Sequence, residues 1–188
     1  ALLAGISACD SLAVGPHKWL FCPFEIGCVI VRDGRLLKDT FHIMPEYLKD
    51  TELVSDPFNF CDYGIQLTRG FRALKLWMTL KTFGLRAVRE AVSAGIANAE
   101  LAERIIAGSA KWQVVTPAQL GIVTFRAAAA GLTPADRDRL HRAVVGRLIS
   151  DGFAFLSSTV LSGETVLRMC TINPTTTQGD IRDTIEHL

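Results

Sequence analysis

The chain has no excess of charge of either sign and no long hydrophobic run. Its 20 Lys and Arg residues balance 19 Asp and Glu residues, and the two signs are interspersed. The basic stripe of a nucleic-acid-binding protein and the polybasic run of a membrane-surface protein are therefore absent. No apolar stretch reaches the roughly 20 residues of a transmembrane helix. We expect neither nucleic acid nor a membrane as a partner.

The spacings of a metal site or a disulfide framework are also missing. The five cysteines are odd in number, form no CxxC pair and lie mostly among apolar neighbours. This pattern predicts reduced, buried thiols in a cytoplasmic protein. The four histidines are far apart and share no ligand spacing, so no metal is expected.

Apolar residues, in contrast, are abundant. Hydrophobic residues make up 49% of the 188-residue chain, and the mean hydropathy is +0.27. These values are high for a small independent domain and typical of a piece of a larger core. We therefore expect the chain to be part of a longer protein.

The tripeptide His17-Lys18-Trp19 follows a short strand-like run and the break Gly15-Pro16. A lysine amine has an unperturbed pKa of roughly 10.4 and is mostly protonated at neutral pH. Burial beside cations or apolar rings lowers that pKa and frees the amine to form an imine with an aldehyde. Lys18 is therefore a candidate cofactor lysine. The alternative is an ordinary loop lysine, with Trp19 as a core anchor.

The first half of the chain predicts two strands and two helices. Residues 8–14 and 26–32 have strand character, the second as an apolar β-branched run buried on both faces, with Lys18 between them. Residues 41–62 show no period, and a connection of this length indicates a functional lid, although a flexible surface loop is the alternative. Helices are predicted at 66–83 and 86–107, separated by Gly84.

The second half predicts a small α+β domain. Strands are expected at 112–116, 121–126, 153–157 and 164–171. Thr133 and Asp136 form a capping pattern that opens a helix ending before Gly152, and Thr177 with Asp180 repeats the pattern for the last helix.

Three blocks along the chain, DSLAVGPHKWLFCPFEIGCVIVRD, FHIMPEYLKD and YGIQLTRGFRALKLWMTLKTFGL, resemble the group II pyridoxal 5'-phosphate (PLP) decarboxylases in order and spacing. A weaker likeness continues through TVLRMCTINPTTTQGDI. The resemblance implies an α/β fold: the C-terminal part of a PLP-dependent, aspartate aminotransferase-like (fold type I) large domain, followed by a small α+β C-terminal domain.

On this resemblance, residues 1–84 are the remnant of the PLP-binding large domain, 85–108 a linking helix and 109–188 the small domain. The family's phosphate-binding loop, ring-stacking histidine and pyridine-nitrogen aspartate precede the lysine. We therefore expect the chain to be the C-terminal portion of a longer enzyme, inactive in isolation.

The resemblance also implies roles for individual residues. Lys18 would hold PLP as a Schiff base, and His17 would lie near the cofactor phosphate, with a structural histidine as the alternative. Tyr47 matches the family's loop tyrosine, which is thought to protonate the substrate carbon after carbon dioxide leaves. Arg69 and Arg72 would hold the phosphate or build a dimer interface, or else form structural ion pairs.

The implied activity is that of a PLP-dependent carboxy-lyase, converting an L-amino acid to the amine and carbon dioxide. The HKWL sequence is similar to the aromatic branch of the family, and the family forms homodimers with the active site at the interface. Two alternatives stay open: a non-catalytic fragment contributing dimer surface, and an aromatic aldehyde synthase, which Tyr47 disfavours. Gly15 and Gly70 depart from the family pattern, which puts cofactor affinity in doubt more than reaction class.

Overall fold

The chain divides into two units, Ala1–Thr82 and Phe83–Leu188. The computed structural model describes residues 3–43 and 58–188. No helix in these two ranges is long and apolar enough to span a membrane.

The first unit contains a two-stranded antiparallel sheet and a short helix. Strand β1 (Ser11–Val14) pairs with β2 (Cys28–Val31). Single 3-10 turns occupy Ile6–Ala8 and Phe60–Tyr63. Helix α1 (Arg35–Phe41) was not expected from the sequence, because its seven residues are too short to show a period and its N-cap is a glycine without a side-chain bond.

The expectation that the second strand is buried on both faces is wrong for this chain. Val29 is 55% exposed and Ile30 57% exposed. β2 has one neighbouring strand, and no described element covers its apolar side chains. Their character fits a wider sheet than this chain supplies.

Helix α2 (Ala73–Ala107) runs from the first unit into the second and is interrupted at Gly84, whose φ of 82° and ψ of 154° are not helical. The predicted break at Gly84 is confirmed, but the predicted start at residue 66 is wrong. The amide of Arg72 instead donates to the carbonyl of Gly70 at 2.8 Å. This tight turn delays the helix to Ala73.

The second unit is a four-stranded antiparallel sheet with helices. Strands β3 (Trp112–Gln119), β4 (Ile122–Ala127), β5 (Ser157–Leu161) and β6 (Glu164–Cys170) lie in the order β3-β4-β6-β5. Helices α3 (Pro134–Ser150) and α4 (Gln178–His187) complete the unit. Side chains from α2, the sheet, α3 and α4 share one core.

Both helices of the second unit start where the sequence predicts. Thr133 with Asp136, and Thr177 with Asp180, form complete capping boxes. The strand expected at 153–157 is wrong: β5 begins at Ser157. Phe153 does not enter the sheet, because its ring stacks on that of His187 with centroids 4.3 Å apart.

All five cysteines are free, as predicted, but their predicted burial is mostly wrong. Cys22 alone is buried, whereas Cys9, Cys28 and Cys170 are exposed. Cys28 lies on the uncovered strand β2, Cys9 precedes β1 and Cys170 is the last residue of β6, so apolar sequence neighbours do not guarantee burial.

Candidate functional site

Lys18 lies on the connection between β1 and β2, as the sequence predicts. Its amide donates to the carbonyl of Gly15 at 3.0 Å, and the amide of Cys22 returns to the carbonyl of Pro16 at 3.1 Å. These bonds, with Pro16 and Cys22 buried, fix the backbone of the turn. The Lys18 side chain is exposed rather than buried, and its amine forms no hydrogen bond or ion pair with the residues that the structure describes.

His17 is held in one orientation by the segment that follows the turn. Its Nδ1 lies 2.6 Å from the carbonyl oxygen of Ile26. Because a carbonyl can only accept, Nδ1 carries a proton and donates it. The ring also packs against the ring of Phe24 in an edge-to-face arrangement, with centroids 5.3 Å apart. Nε2 is consequently the nitrogen left for a ligand.

Gly15 stands close to both side chains of interest. A Cβ built at this position would lie 3.7 Å from Cδ of Lys18 and 3.8 Å from Cε1 of His17. These are ordinary van der Waals distances, so the glycine is not required by close packing. The lysine and histidine side chains therefore share one small region above the turn.

Arg69 and Arg72, which precede α2, have different surroundings. The guanidinium of Arg69 lies over the ring of Phe60, 5.3 Å from its centroid. Arg72 donates to one carboxylate oxygen of Glu25 from Nε at 2.9 Å and from Nη2 at 2.6 Å. The structural ion pair that the sequence left open is thus present for Arg72.

An open cleft of roughly 530 Å³ lies beside these arginines. Its lining includes Arg69, Arg72, Cys28 and Phe60. Neither Lys18 nor His17 lines this cleft. The structure therefore brings His17 together with Lys18, whereas Arg69 faces a different space in this chain.

Tyr47 lies outside the described residues. The two ranges that flank it meet through a pair that sequence reasoning missed: Nδ1 of His42 is 3.2 Å from Oδ1 of Asp62. Asp62 is 7% exposed, which is unusual for an acidic residue. Its position at the end of an aperiodic stretch gave no sign of that burial.

The pyridoxal-dependent decarboxylase conserved domain matches residues 1–128, which include the strand pair, the Lys18 turn and the start of the second unit. The chain belongs to the pyridoxal-dependent decarboxylase family. The predicted family is thereby confirmed.

Several decarboxylases resemble the chain closely. An aromatic-L-amino-acid decarboxylase of Bacillus atrophaeus is 47% identical over 183 residues, covering 96% of this chain and 38% of that protein. Tryptophan decarboxylase 1 of Oryza sativa subsp. japonica is 35% identical over 174 residues, covering 88% of the chain and 33% of that protein. The chain thus spans between a third and two fifths of the length of these decarboxylases.

A solved structure shows the same relationship. The crystal structure of Oryza sativa TDC with PLP and tryptamine aligns with a TM-score of 0.84 at 32% identity, covering 98% of this chain and 39% of that one. The mixed α/β content of the chain is that of this decarboxylase.

Proposed function

We propose that the protein containing this chain is a PLP-dependent decarboxylase of L-amino acids, with Lys18 as the residue that binds the cofactor. The observation that carries this proposal is the Lys18 turn: an amine without a partner among the described residues, beside an imidazole of fixed orientation. The decarboxylase relatives, and the PLP in the Oryza sativa structure, support it.

The donor set at the turn fits PLP. Lys18 would hold the aldehyde carbon through its amine, and His17 would face the phosphate with Nε2. PLP, when bound, supplies the electron sink for the bond between the α-carbon and the carboxylate of the substrate. The protein must supply the rest: orientation of that bond, exclusion of water and control of protons.

His17 has a defined task in this scheme. Since Nδ1 is committed to the carbonyl of Ile26 at 2.6 Å, a second proton on the ring would reside on Nε2. A protonated Nε2 donates a charge-assisted hydrogen bond to an anionic oxygen, which is stronger than a neutral one. The ring can therefore bind phosphate without turning.

We propose two further roles on the resemblance in sequence. Tyr47 would donate a proton to the substrate carbon after carbon dioxide leaves, because a phenol with a pKa of about 10 can protonate a carbanion-like centre in a water-free site. Arg69 would bind an anionic group, since its guanidinium forms no ion pair with the described residues.

The finer assignments belong to the same proposal. Residues 1–84 would be the end of a fold type I large domain, 85–108 a linking helix and 109–188 the small C-terminal domain. The substrate would be aromatic, the protein a cytoplasmic homodimer, and the active site would lie at the dimer interface. The names of two relatives, an aromatic-L-amino-acid decarboxylase and a tryptophan decarboxylase, support an aromatic substrate.

Borohydride reduction of the complete protein with PLP tests the cofactor assignment. We expect a stable adduct on the peptide that contains Lys18, detected by mass spectrometry, and no adduct in Lys18→Ala. Lys81→Ala, which alters another exposed lysine of the same unit, should keep the adduct. An adduct absent from wild type, or located on another lysine, would contradict the proposal.

Product analysis separates the alternatives. A decarboxylase releases the amine and carbon dioxide from an aromatic L-amino acid. An aldehyde synthase would consume dioxygen and water and release an aromatic aldehyde with carbon dioxide, ammonia and hydrogen peroxide, and a non-catalytic protein would release nothing. The amine as main product is the expected result.

A further inference from the structure

The segment Phe24–Ile26 contacts His17 from two directions. The carbonyl of Ile26 accepts from Nδ1 at 2.6 Å, and the ring of Phe24 packs against the imidazole in an edge-to-face arrangement. The orientation of the His17 ring therefore depends on the position of this segment. The segment belongs to no helix or strand, and the Phe24 side chain is 81% exposed.

Charged contacts from the start of α2 hold that segment in place. Arg72 donates to one oxygen of the Glu25 carboxylate through two nitrogens, at 2.9 and 2.6 Å. Nζ of Lys75 donates to the carbonyl of Phe24 at 3.0 Å and to that of Glu25 at 3.2 Å. The bond from Arg72 lowers the pKa of Glu25 below its usual range, with Lys75 acting in the same direction, so the carboxylate is charged at neutral pH.

We propose that Glu25 is a positioning residue for the cofactor site and acts through His17. Its ion pair with Arg72 anchors the segment Phe24–Ile26 to α2, and the segment in turn sets the direction of Nε2 of His17. The inference rests on the proposed function, because it requires PLP bound at Lys18.

A purely stabilising role is a weak explanation of the Glu25–Arg72 pair. The side chains of Arg72 and Glu25 are 32% and 57% exposed, and ion pairs of such exposure contribute little to stability. An ion pair that positions one segment has a different effect when it is lost. Its loss leaves the temperature of global unfolding almost unchanged and weakens binding of the ligand that the oriented residue contacts.

The test measures PLP affinity and unfolding of the complete protein separately. PLP is titrated into the apoprotein and followed by cofactor absorbance, which gives a dissociation constant without turnover. We expect Glu25→Gln to raise this constant about threefold, equivalent to about 0.7 kcal/mol, which is within the range of an exposed ion pair. The unfolding temperature of the apoprotein should stay within about 3 °C of wild type. Glu25→Asp, which keeps the charge, should recover part of the affinity.

A second exposed pair provides the matched control. Arg86 and Glu90 lie 3.8 Å apart on α2, beyond Gly84, and belong to the second unit. Glu90→Gln removes one carboxylate charge in the same way and should change neither the affinity nor the unfolding temperature.

The dependence on His17 is tested in the double variant. If Glu25 acts through the imidazole, Glu25→Gln should weaken PLP binding no further in a His17→Gln background. Equal weakening in both backgrounds, or an unchanged dissociation constant in Glu25→Gln, would overturn the inference. So would a large fall in unfolding temperature confined to Glu25→Gln. Wild type that forms no borohydride adduct at Lys18 would instead refute the proposed function itself.

Discussion

His141 in helix α3 joins two strands of the second unit. The side chain is 0% exposed. Its Nε2 accepts from the amide of Ala127 at 3.0 Å, and its Nδ1 lies 2.9 Å from the carbonyl of Thr165. Both contacts are satisfied by one neutral tautomer, with the proton on Nδ1. A second proton would face a backbone donor, so the folded state disfavours the imidazolium.

Stability of the second unit should therefore fall in acid. Burial lowers the pKa of His141 below its ordinary value; the bond to Thr165 opposes this and nearby Arg137 assists it. Below a pH of about 6.5 the unfolded histidine takes up a proton more readily than the folded one. The free energy of unfolding is thus highest above this pH and decreases as the pH falls.

Urea titrations of the complete protein at pH 7.5 and 5.5 check this prediction. We expect wild type to lose more stability between these values than His141→Gln, whose amide can donate and accept but does not titrate. His187→Gln, which alters an exposed histidine, should retain the wild-type loss. Parallel losses in wild type and His141→Gln would contradict the expectation.

Single residues were predictable where their chemistry is local. The position of Lys18 between two strands, with His17 beside it, followed from the pattern of residues 8–32. The Glu25–Arg72 pair joins residues 47 positions apart, and His42–Asp62 closes a stretch without a period. Such contacts depend on tertiary packing, which residue type and spacing do not specify.

At the scale of elements, the starts of α3 and α4 could be predicted because a capping box involves residues only three positions apart. Thr177 accepts from the amide of Asp180 at 3.2 Å, and the Asp180 carboxylate accepts from the amide of Thr177 at 2.7 Å. The start of α2 and the position of β5 were mispredicted. In both places a turn or a side-chain stack overrides the apolar pattern.

The capping box formed by Thr177 and Asp180 should stabilise α4 measurably. Thr177→Ala removes the side-chain bond to the first helical turn and should cost about 1 kcal/mol. Thr184→Ala is the matched control, because its hydroxyl bonds back to the carbonyl of Asp180 within the helix at 2.6 Å. Loss of such a bond is close to neutral.

Hydrogen–deuterium exchange of the peptide 178–187 reports this difference locally. We expect exchange about fivefold faster in Thr177→Ala and nearly unchanged in Thr184→Ala. Equal acceleration in both variants would mean that general loss of threonine, and not the cap, controls the helix.

For the molecule as a whole, the core is unevenly distributed. In the described part of the first unit, only Cys22 and Ile26 are buried hydrophobic residues, whereas the shared core cluster lies entirely in the second unit. Phe24, Ile65 and Phe71 are more than 70% exposed. Among the residues that the structure describes, each strand of the pair β1–β2 also has one edge without a partner strand. Such surfaces associate unless another segment covers them.

A polypeptide of residues 1–188 alone should therefore self-associate and bind a hydrophobic dye. The complete protein, and a polypeptide of residues 83–188, should do so much less. Light scattering and dye fluorescence at matched concentrations distinguish the three. If the 1–188 polypeptide is monodisperse and does not bind the dye, the first unit covers its own apolar surface.

Gly84 sets a limit on how far helical order can spread. Helix formation is cooperative because each residue with helical dihedrals extends a nucleus that is costly to form. At φ 82° and ψ 154°, Gly84 interrupts that sequence of dihedrals within the 35 residues of α2. The two segments on either side must nucleate separately. Fraying that begins in one of them stops at the glycine, so each half of α2 melts according to its own packing.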